Sequence, residues 1–226
     1  MQALPTQLNA VEWLFDRAFA AGHADRPLFR SDERTLTYAQ ARAEVNRIAQ
    51  VLAGMGLQPG NRVLLRGGNS IAMALAWLAV VQSGLIAVAT MPLLRATELK
   101  AIIDKARPAA ALCDVKLQDE LKAALALSPE TAALPLRLFN TGDAAIVVDH
   151  SLEALARHAA EALAPCPTSA DDIALQARQL TAALSAAVEQ RNRLQSDRAN
   201  LSGTKNHDFH GNSPPRNGVM ECTDGG

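Results

Sequence analysis

The sequence predicts an α/β protein built on a partial, doubly wound parallel sheet with flanking helices. Between residues 56 and 114, three short apolar runs alternate with two helical stretches, which is the order of a parallel sheet with crossover helices. The runs are apolar throughout, as strands covered on both faces are. The chain has 226 residues, 49% hydrophobic and 20% charged, a composition typical of soluble globular proteins.

The first 55 residues predict two helices separated by a hairpin. Asn9 begins a helix whose apolar positions fall on one face. Residues 28–30 and 35–37 are predicted to form the two strands of the hairpin. Thr37 caps the next helix and Gln40 returns the hydrogen bond, so the second strand leads directly into that helix.

The central block predicts strands at 62–66, 85–89 and 109–113. A helix over 71–83 follows the first strand, and a second helix begins at Thr97 and ends at Arg107 before a proline. Residues 67–94 carry no charge and are long enough to span a bilayer as one helix, but polar residues, Gly84 and Pro92 interrupt them, which favours a helix followed by a buried strand. Helices at 119–127 and 151–163 and a strand at 136–139 complete the ordered body.

The C-terminal part predicts a change of organisation after the sequence Pro165-Cys166-Pro167. Residues 1–167 form the α/β subdomain, and residues 168–202 form a helical appendage with one long helix from 171 to about 200. Residues 203–226 are rich in glycine and have almost no apolar periodicity, so a disordered tail is predicted there.

The net charge limits the kinds of binding partner, and the number and spacing of the cysteines indicate the cellular compartment. The formal net charge is −1, from 22 basic and 23 acidic residues, so no overall field favours nucleic acid or an anionic membrane. Cys113, Cys166 and Cys222 are odd in number and contain no CxxC pair, which fits a reducing compartment. A cytoplasmic location is therefore expected.

Five segments carry a family resemblance: LTY at 36–38, VNRIAQVL at 45–52, GLQPGNRVLL at 56–65, AVVQSGLIAV at 79–88 and MPLLRATEL at 91–99. Together they resemble the adenylate-forming acyl- and aryl-CoA ligases. The run PGNRVLLRG, followed by ATMPLLRATEL, DKA, ALCD and LQDEL, is most similar to the benzoate and 2-aminobenzoate CoA ligase branch. The resemblance implies ATP-dependent conversion of an aromatic carboxylate to an acyl-adenylate and pyrophosphate, followed by thioester formation with coenzyme A. It also implies ATP, Mg and CoA as cofactors and substrates of the full-length family.

The resemblance covers approximately residues 8–175 and then ends. Relatives continue into a Ser/Thr/Gly-rich phosphate loop that ends in lysine, whereas Gln176 begins a helical, glycine-free stretch here. The family's adenine and ribose motifs, hinge and C-terminal catalytic lysine have no matching positions. We therefore expect a truncated ligase, joined to unrelated residues and inactive alone, to which no catalytic, cofactor-binding or metal-binding residue is assigned.

The predicted truncation leads to an expectation of self-association, and a second function is also considered. Without the covering residues of its relatives, the sheet should leave an edge and apolar surface exposed, which favours self-association. The alternative function is a noncatalytic interaction module in which the helix at 171–200 docks on a partner or on a second copy.

Other candidate groups have simpler structural interpretations. A Gly-Gly turn serves any strand-to-helix connection, and an acidic residue in a first helical turn is explained by the helix dipole. The histidines have no recognisable nucleophile or rigid ligand partner nearby. The groups are Arg66-Gly67-Gly68-Asn69-Ser70, Ser202-Gly203-Thr204-Lys205, Arg95 with Glu98, the isolated His23, His150 and His158, and the set His207, Asp208, His210 and Cys222.

Overall fold

The computed structural model describes residues 6–127, 129–140, 150–169 and 172. All of them belong to the first of the chain's two units, Met1–Ala187. The predicted helix at 171–200 and the tail at 203–226 lie outside the described residues, apart from Asp172. The helices are α1 Ala10–Ala20, α2 Tyr38–Gly54, α3 Ile71–Gln82, α4 Ala96–Ala106, α5 Gln118–Ala126 and α6 Leu152–Arg157; the strands are β1 Pro27–Arg30, β2 Thr35–Thr37, β3 Arg62–Arg66, β4 Ile86–Thr90, β5 Ala110–Asp114 and β6 Leu136–Phe139.

The N-terminal elements confirm the sequence prediction. The Asn9 side chain accepts hydrogen bonds from the first-turn amides of α1. β1 and β2 pair antiparallel. Thr37 Oγ1 accepts from the Gln40 amide at 3.2 Å, while Gln40 Oε1 accepts from the Thr37 amide at 2.9 Å, so both bonds of the capping box form.

The second sheet has four parallel strands in the order β4-β3-β5-β6. The chain places β4 on one side of β3, then crosses to the other side for β5 and β6. This reversal is what defines a doubly wound sheet. The predicted parallel sheet with flanking helices is therefore confirmed.

Side chains alternate between the two faces of the sheet along each strand, and a hydrophobic core lies on each face. In β3, Val63 and Leu65 belong to the core that includes residues of α1, α2, α3 and α6, whereas Leu64 belongs to the core that includes residues of α4 and α5. Because successive side chains of a strand point to opposite faces, one apolar strand serves both cores. This explains why polar and apolar residues do not alternate in the sequences of these strands.

Two predicted strands begin one residue later than expected. β4 begins at Ile86 because the Leu85 amide still donates to Val80 O at 3.0 Å, closing the end of α3. Gly84 makes this turn with φ +68°. β5 begins at Ala110, where its pairing with Val63 starts. α4 begins at Ala96 instead of Thr97, since Glu98 Oε2 accepts from the Arg95 amide at 2.7 Å.

The helix expected over 151–163 ends at Arg157. Beyond it, α2 side chains donate to backbone carbonyls: Asn46 Nδ2 donates to Glu161 O at 2.6 Å and Gln50 Nε2 donates to Ala162 O at 3.1 Å. Residues 161–169 then run along the first three helices. We call these residues the C-terminal strap.

The strap also contacts the beginning of the chain. Leu8 N donates to Thr168 O, and Thr168 Oγ1 donates to Leu8 O, both at 2.8 Å. Asn9 Nδ2 donates to Cys166 O at 3.0 Å. Among the described residues, no helix has the length and apolarity needed to cross a bilayer, and α3, which falls within the uncharged stretch, has 12 residues.

Candidate functional site

Polar residues lie at the carboxyl ends of the strands of the parallel sheet, along one edge that we call the carboxyl edge. Arg66, Thr90 and Asp114 are the last residues of β3, β4 and β5, and Asn140 follows β6 directly. In open α/β sheets, ligands bind at this edge, where the order of the strands reverses. Here the reversal lies between β3 and β5, so this edge is the candidate functional site.

Arg66 is enclosed within this edge and is 1% exposed. Its Nε donates to Leu117 O at 3.1 Å, and its Nη1 donates to Met91 O at 3.1 Å. Its Nη2 donates to Pro92 O at 3.1 Å and to Leu94 O at 2.9 Å. Burial lowers the pKa of the guanidinium, while the nearby Cys113 and Glu120 act in the opposite direction. Arg66 thus fixes two loops, the one between β4 and α4 and the one after β5.

Asp114 and Asn140 join the ends of β5 and β6. Asp114 Oδ2 accepts from Asn140 Nδ2 at 2.7 Å, and its Oδ1 accepts from the Lys116 amide at 2.9 Å. Asn140 has φ +60°, a region that asparagine tolerates, and its amide donates to Glu153 Oε1 at 2.6 Å. These bonds link both strand ends to the first turn of α6.

The turn between β3 and α3 is closed by an aromatic ring. A Cβ placed on Gly67 would lie 2.8 Å from Phe139 Cζ and 3.1 Å from Met73 Sδ. Ser70 caps α3 by accepting a hydrogen bond from the Met73 amide at 3.2 Å. Gly67 is therefore required by the close approach of Phe139, which supports the structural interpretation of residues 66–70.

The N-terminus of α4 already holds a carboxylate from the protein itself. Glu120 Oε2 accepts from the Ala96 amide at 2.8 Å, and Glu120 Oε1 accepts from Arg95 Nη1 at 2.8 Å. The hydrogen bond from Arg95 is the main cause that lowers the pKa of Glu120, followed by the Ala96 amide. Glu98 lies in the first helical turn as expected, is buried and caps the Arg95 amide.

A cavity of about 330 Å³ lies beside this group, lined by Arg66, Leu93, Arg95, Lys116 and Asp119 among others. Its charged side chains include both signs. Leu93 is 83% exposed although Arg66 fixes the backbone on both sides of it. The carboxyl edge thus has a rigid loop that presents an apolar side chain to solvent.

The thiols and histidines do not form a reactive centre in the described part of the chain. Burial raises the pKa of the Cys113 thiol from its ordinary 9.0 to about 12, so this thiol stays protonated near neutral pH. His23, His150 and His158 lie apart, and no three His, Cys, Asp or Glu side chains of the described residues could hold a metal together. The candidates at 202–205, His207, Asp208, His210 and Cys222 lie outside the described residues.

Sequence reasoning missed the role of Arg66. The signal was present, because Arg66 is a charged residue at the carboxyl end of an otherwise apolar strand. Its partners could not be inferred, since they are backbone carbonyls of two later loops. The same holds for Asp114 and Asn140, which are far apart in sequence and meet only across the sheet.

Comparison with known proteins gives one family match. A family model described as AMP-binding enzyme matches residues 16–191, a range that continues past Leu175. A mitochondrial medium-chain acyl-CoA ligase of Macaca fascicularis is 41% identical over 70 residues, which make up 31% of this chain and 11% of that ligase.

Two solved structures share the fold. A benzoate CoA ligase from Burkholderia xenovorans aligns with a TM-score of 0.64 at 23% identity, covering 74% of this chain and 32% of that one. An anthranilate CoA ligase in complex with anthranoyl-AMP aligns with a TM-score of 0.66 at 20% identity, covering 77% of this chain and 33% of that one. The chain therefore spans about a third of the length of these two structures.

Proposed function

Because the chain belongs to the AMP-binding enzyme family, we propose that it supplies the N-terminal α/β part of an ATP-dependent aryl-CoA ligase. The observation that carries this proposal is the family match over residues 16–191. The benzoate and anthranilate ligases favour an aromatic carboxylate as the substrate, although the Macaca relative is named for medium-chain acids. The proposed partners are an aromatic carboxylate, ATP and CoA, with no nucleic acid or membrane.

The family reaction has two steps. A carboxylate oxygen attacks the α-phosphorus of ATP and releases pyrophosphate, which gives an acyl-adenylate. The thiol of CoA then attacks the acyl carbon and releases AMP. Negative charge develops on phosphate oxygens in the first step, so that step needs hydrogen-bond donors and cations that are not already engaged.

We further propose that the 226-residue chain does not catalyse adenylation by itself. Two described positions suited to an anion are already committed: Arg66 donates to loop carbonyls, and the start of α4 donates to Glu120.

Carboxylate-dependent exchange of label between pyrophosphate and ATP tests this proposal. The purified chain is assayed with benzoate, 2-aminobenzoate and octanoate, beside an intact benzoate CoA ligase as a positive control. We expect no exchange above the blank for the chain and full exchange for the control. Robust exchange by the chain with any of the three acids would show that it is active alone.

Two other expectations remain proposals. A cytoplasmic location is supported by the cysteine usage, and localisation of the tagged protein in its own cell would test it. Self-association is supported by the exposure of Met91 and Leu93 on the fixed loop at the carboxyl edge. Sedimentation velocity over a concentration series would test it, and a single monomeric species at every concentration would contradict it.

A further inference from the structure

A separate cavity of about 220 Å³ lies between α2, α3, β6 and α6. It is distinct from the cavity at Arg66. Its innermost lining is apolar and buried, with exposed fractions between 1% and 9%. These floor residues are Ile48, Leu75, Phe139, Leu152 and Ala156.

Charged side chains line the more exposed part of the same cavity. They are Arg34, Glu44, Arg47, Glu153 and Arg157, three cations and two anions. Glu161, which lies outside the lining, pairs with Arg47, so the charges around the cavity balance. An apolar floor beneath a charged rim is complementary to a small molecule with a hydrophobic body and a polar head group.

Four of the five rim charges already have partners. Arg34 Nη1 lies 3.1 Å from each carboxylate oxygen of Glu44. Arg47 pairs with Glu161, and Glu153 accepts the Asn140 amide.

Arg157 is the remaining rim charge. It is exposed, lies in the last turn of α6, and makes no ion pair with any residue of the described ranges. Arg157 is thus the rim cation whose guanidinium is left for a ligand, and a guanidinium is the group best shaped to bind a carboxylate through two parallel hydrogen bonds.

The size of the cavity limits the ligand. Drug-sized ligands occupy pockets of roughly 300–1,000 Å³, whereas an apolar cavity of about 150 Å³ holds benzene. A volume of about 220 Å³ therefore fits one ring, or a short alkyl chain, together with a one-carbon head group.

We propose that this cavity binds a small monocarboxylate, with its apolar body on the floor residues and its carboxylate paired with Arg157. The proposal does not rest on adenylation, because binding here needs neither ATP nor any residue of the carboxyl edge other than Phe139, whose ring also contributes to the floor. The site would be a second carboxylate site, separate from the place of any ligase chemistry.

Ligand-observed NMR titration of the full chain tests the proposal, with benzoate as the probe and no nucleotide present. We expect one benzoate per chain with a Kd of about 1 mM or tighter, in keeping with a ligand of this size. Benzamide, which keeps the shape and loses the charge, should bind about tenfold more weakly. Biphenyl-4-carboxylate should not bind, because its second ring exceeds the volume.

Three variants show where the probe binds. Arg157→Gln should weaken benzoate about tenfold and leave benzamide unchanged, since only the carboxylate contacts the guanidinium. Ala72→Leu places extra volume in the cavity from the lining of α3 and should abolish binding of both molecules. Lys105→Gln, on an exposed position of α4 across the sheet, removes an equal charge and should change neither.

Thermal unfolding of each variant confirms that it is folded before titration. No binding of benzoate to the folded wild-type chain overturns the proposal. Binding that survives both Arg157→Gln and Ala72→Leu also overturns it, because the probe would then lie elsewhere. Either outcome leaves the result of the pyrophosphate exchange assay unaffected.

Discussion

At the carboxyl edge, the identity of single residues is determined by their contacts with distant parts of the chain. Gly67 has no left-handed φ, so its backbone conformation alone would accept any side chain. The restriction comes from Phe139, whose ring occupies the space where a Cβ would project. The sequence predicts the tight turn at 66–70 correctly, but it cannot reveal which of its two glycines is irreplaceable.

Gly67→Ala is therefore expected to destabilise the protein by about 1–3 kcal/mol, the usual range for overpacking. The matched control is Gly68→Ala, because a Cβ at Gly68 meets nothing within 4 Å. Urea unfolding followed by circular dichroism measures both. A loss of stability at Gly68 equal to that at Gly67 would contradict the steric explanation.

The Phe139→Leu background supplies a second check of the same contact. Since the ring is the obstacle, Gly67→Ala should cost less there than in the wild type, and the double-mutant cycle should give a non-zero coupling energy. Additive effects would show that the strain at Gly67 has another source.

Secondary-structure elements are joined at the carboxyl edge by polar side chains that reach across loops. Arg66 connects the end of β3 to the loop before α4 and to the turn after β5. Helix caps such as Thr37 with Gln40 are predictable from sequence, because both partners lie within one turn. The hydrogen bonds of Arg66 are not predictable from sequence, since a charged residue after an apolar run does not specify which carbonyls it will contact.

Replacing Arg66 by methionine should lower the free energy of unfolding by about 3 kcal/mol or more, because it leaves buried carbonyls without donors. Urea unfolding measures the loss, with Lys105→Met as the surface control, for which a change within about 0.5 kcal/mol is expected. Hydrogen exchange in residues 91–95 should also accelerate. Unchanged stability in Arg66→Met would refute the role of Arg66 as the connection between these loops.

At the scale of the whole molecule, the strap at residues 161–169 joins the end of the described body to its beginning. It takes hydrogen bonds from the Asn9, Asn46 and Gln50 side chains and pairs with Leu8. The sequence predicted a helix as far as residue 163, because alanine and leucine dominate there. In the structure α6 ends at Arg157, and polar side chains of α2 donate to the carbonyls at 161 and 162, which are contacts that depend on packing.

Two shortened chains test the contribution of the strap. A chain ending at Asp172 keeps every described strap contact and should unfold within about 1 kcal/mol of the full chain. A chain ending at Ala160 leaves several side-chain donors unpaired and should lose about 3 kcal/mol or more. Urea unfolding of the three proteins provides the comparison, and equal stability of the two shortened chains would show that the strap contributes nothing.

The sequence by itself determined the fold class, the element order, the helix caps and the family resemblance, because each depends on periodicity or on residues within a few positions of one another. Only the tertiary structure decided the strand order β4-β3-β5-β6, the partners of Arg66, the packing of Phe139 on Gly67 and the cavity beside Arg157. The reason is that an apolar run shows that a strand is buried without showing which strand will lie beside it. Contacts between distant residues are fixed only when the helices and the sheet pack together.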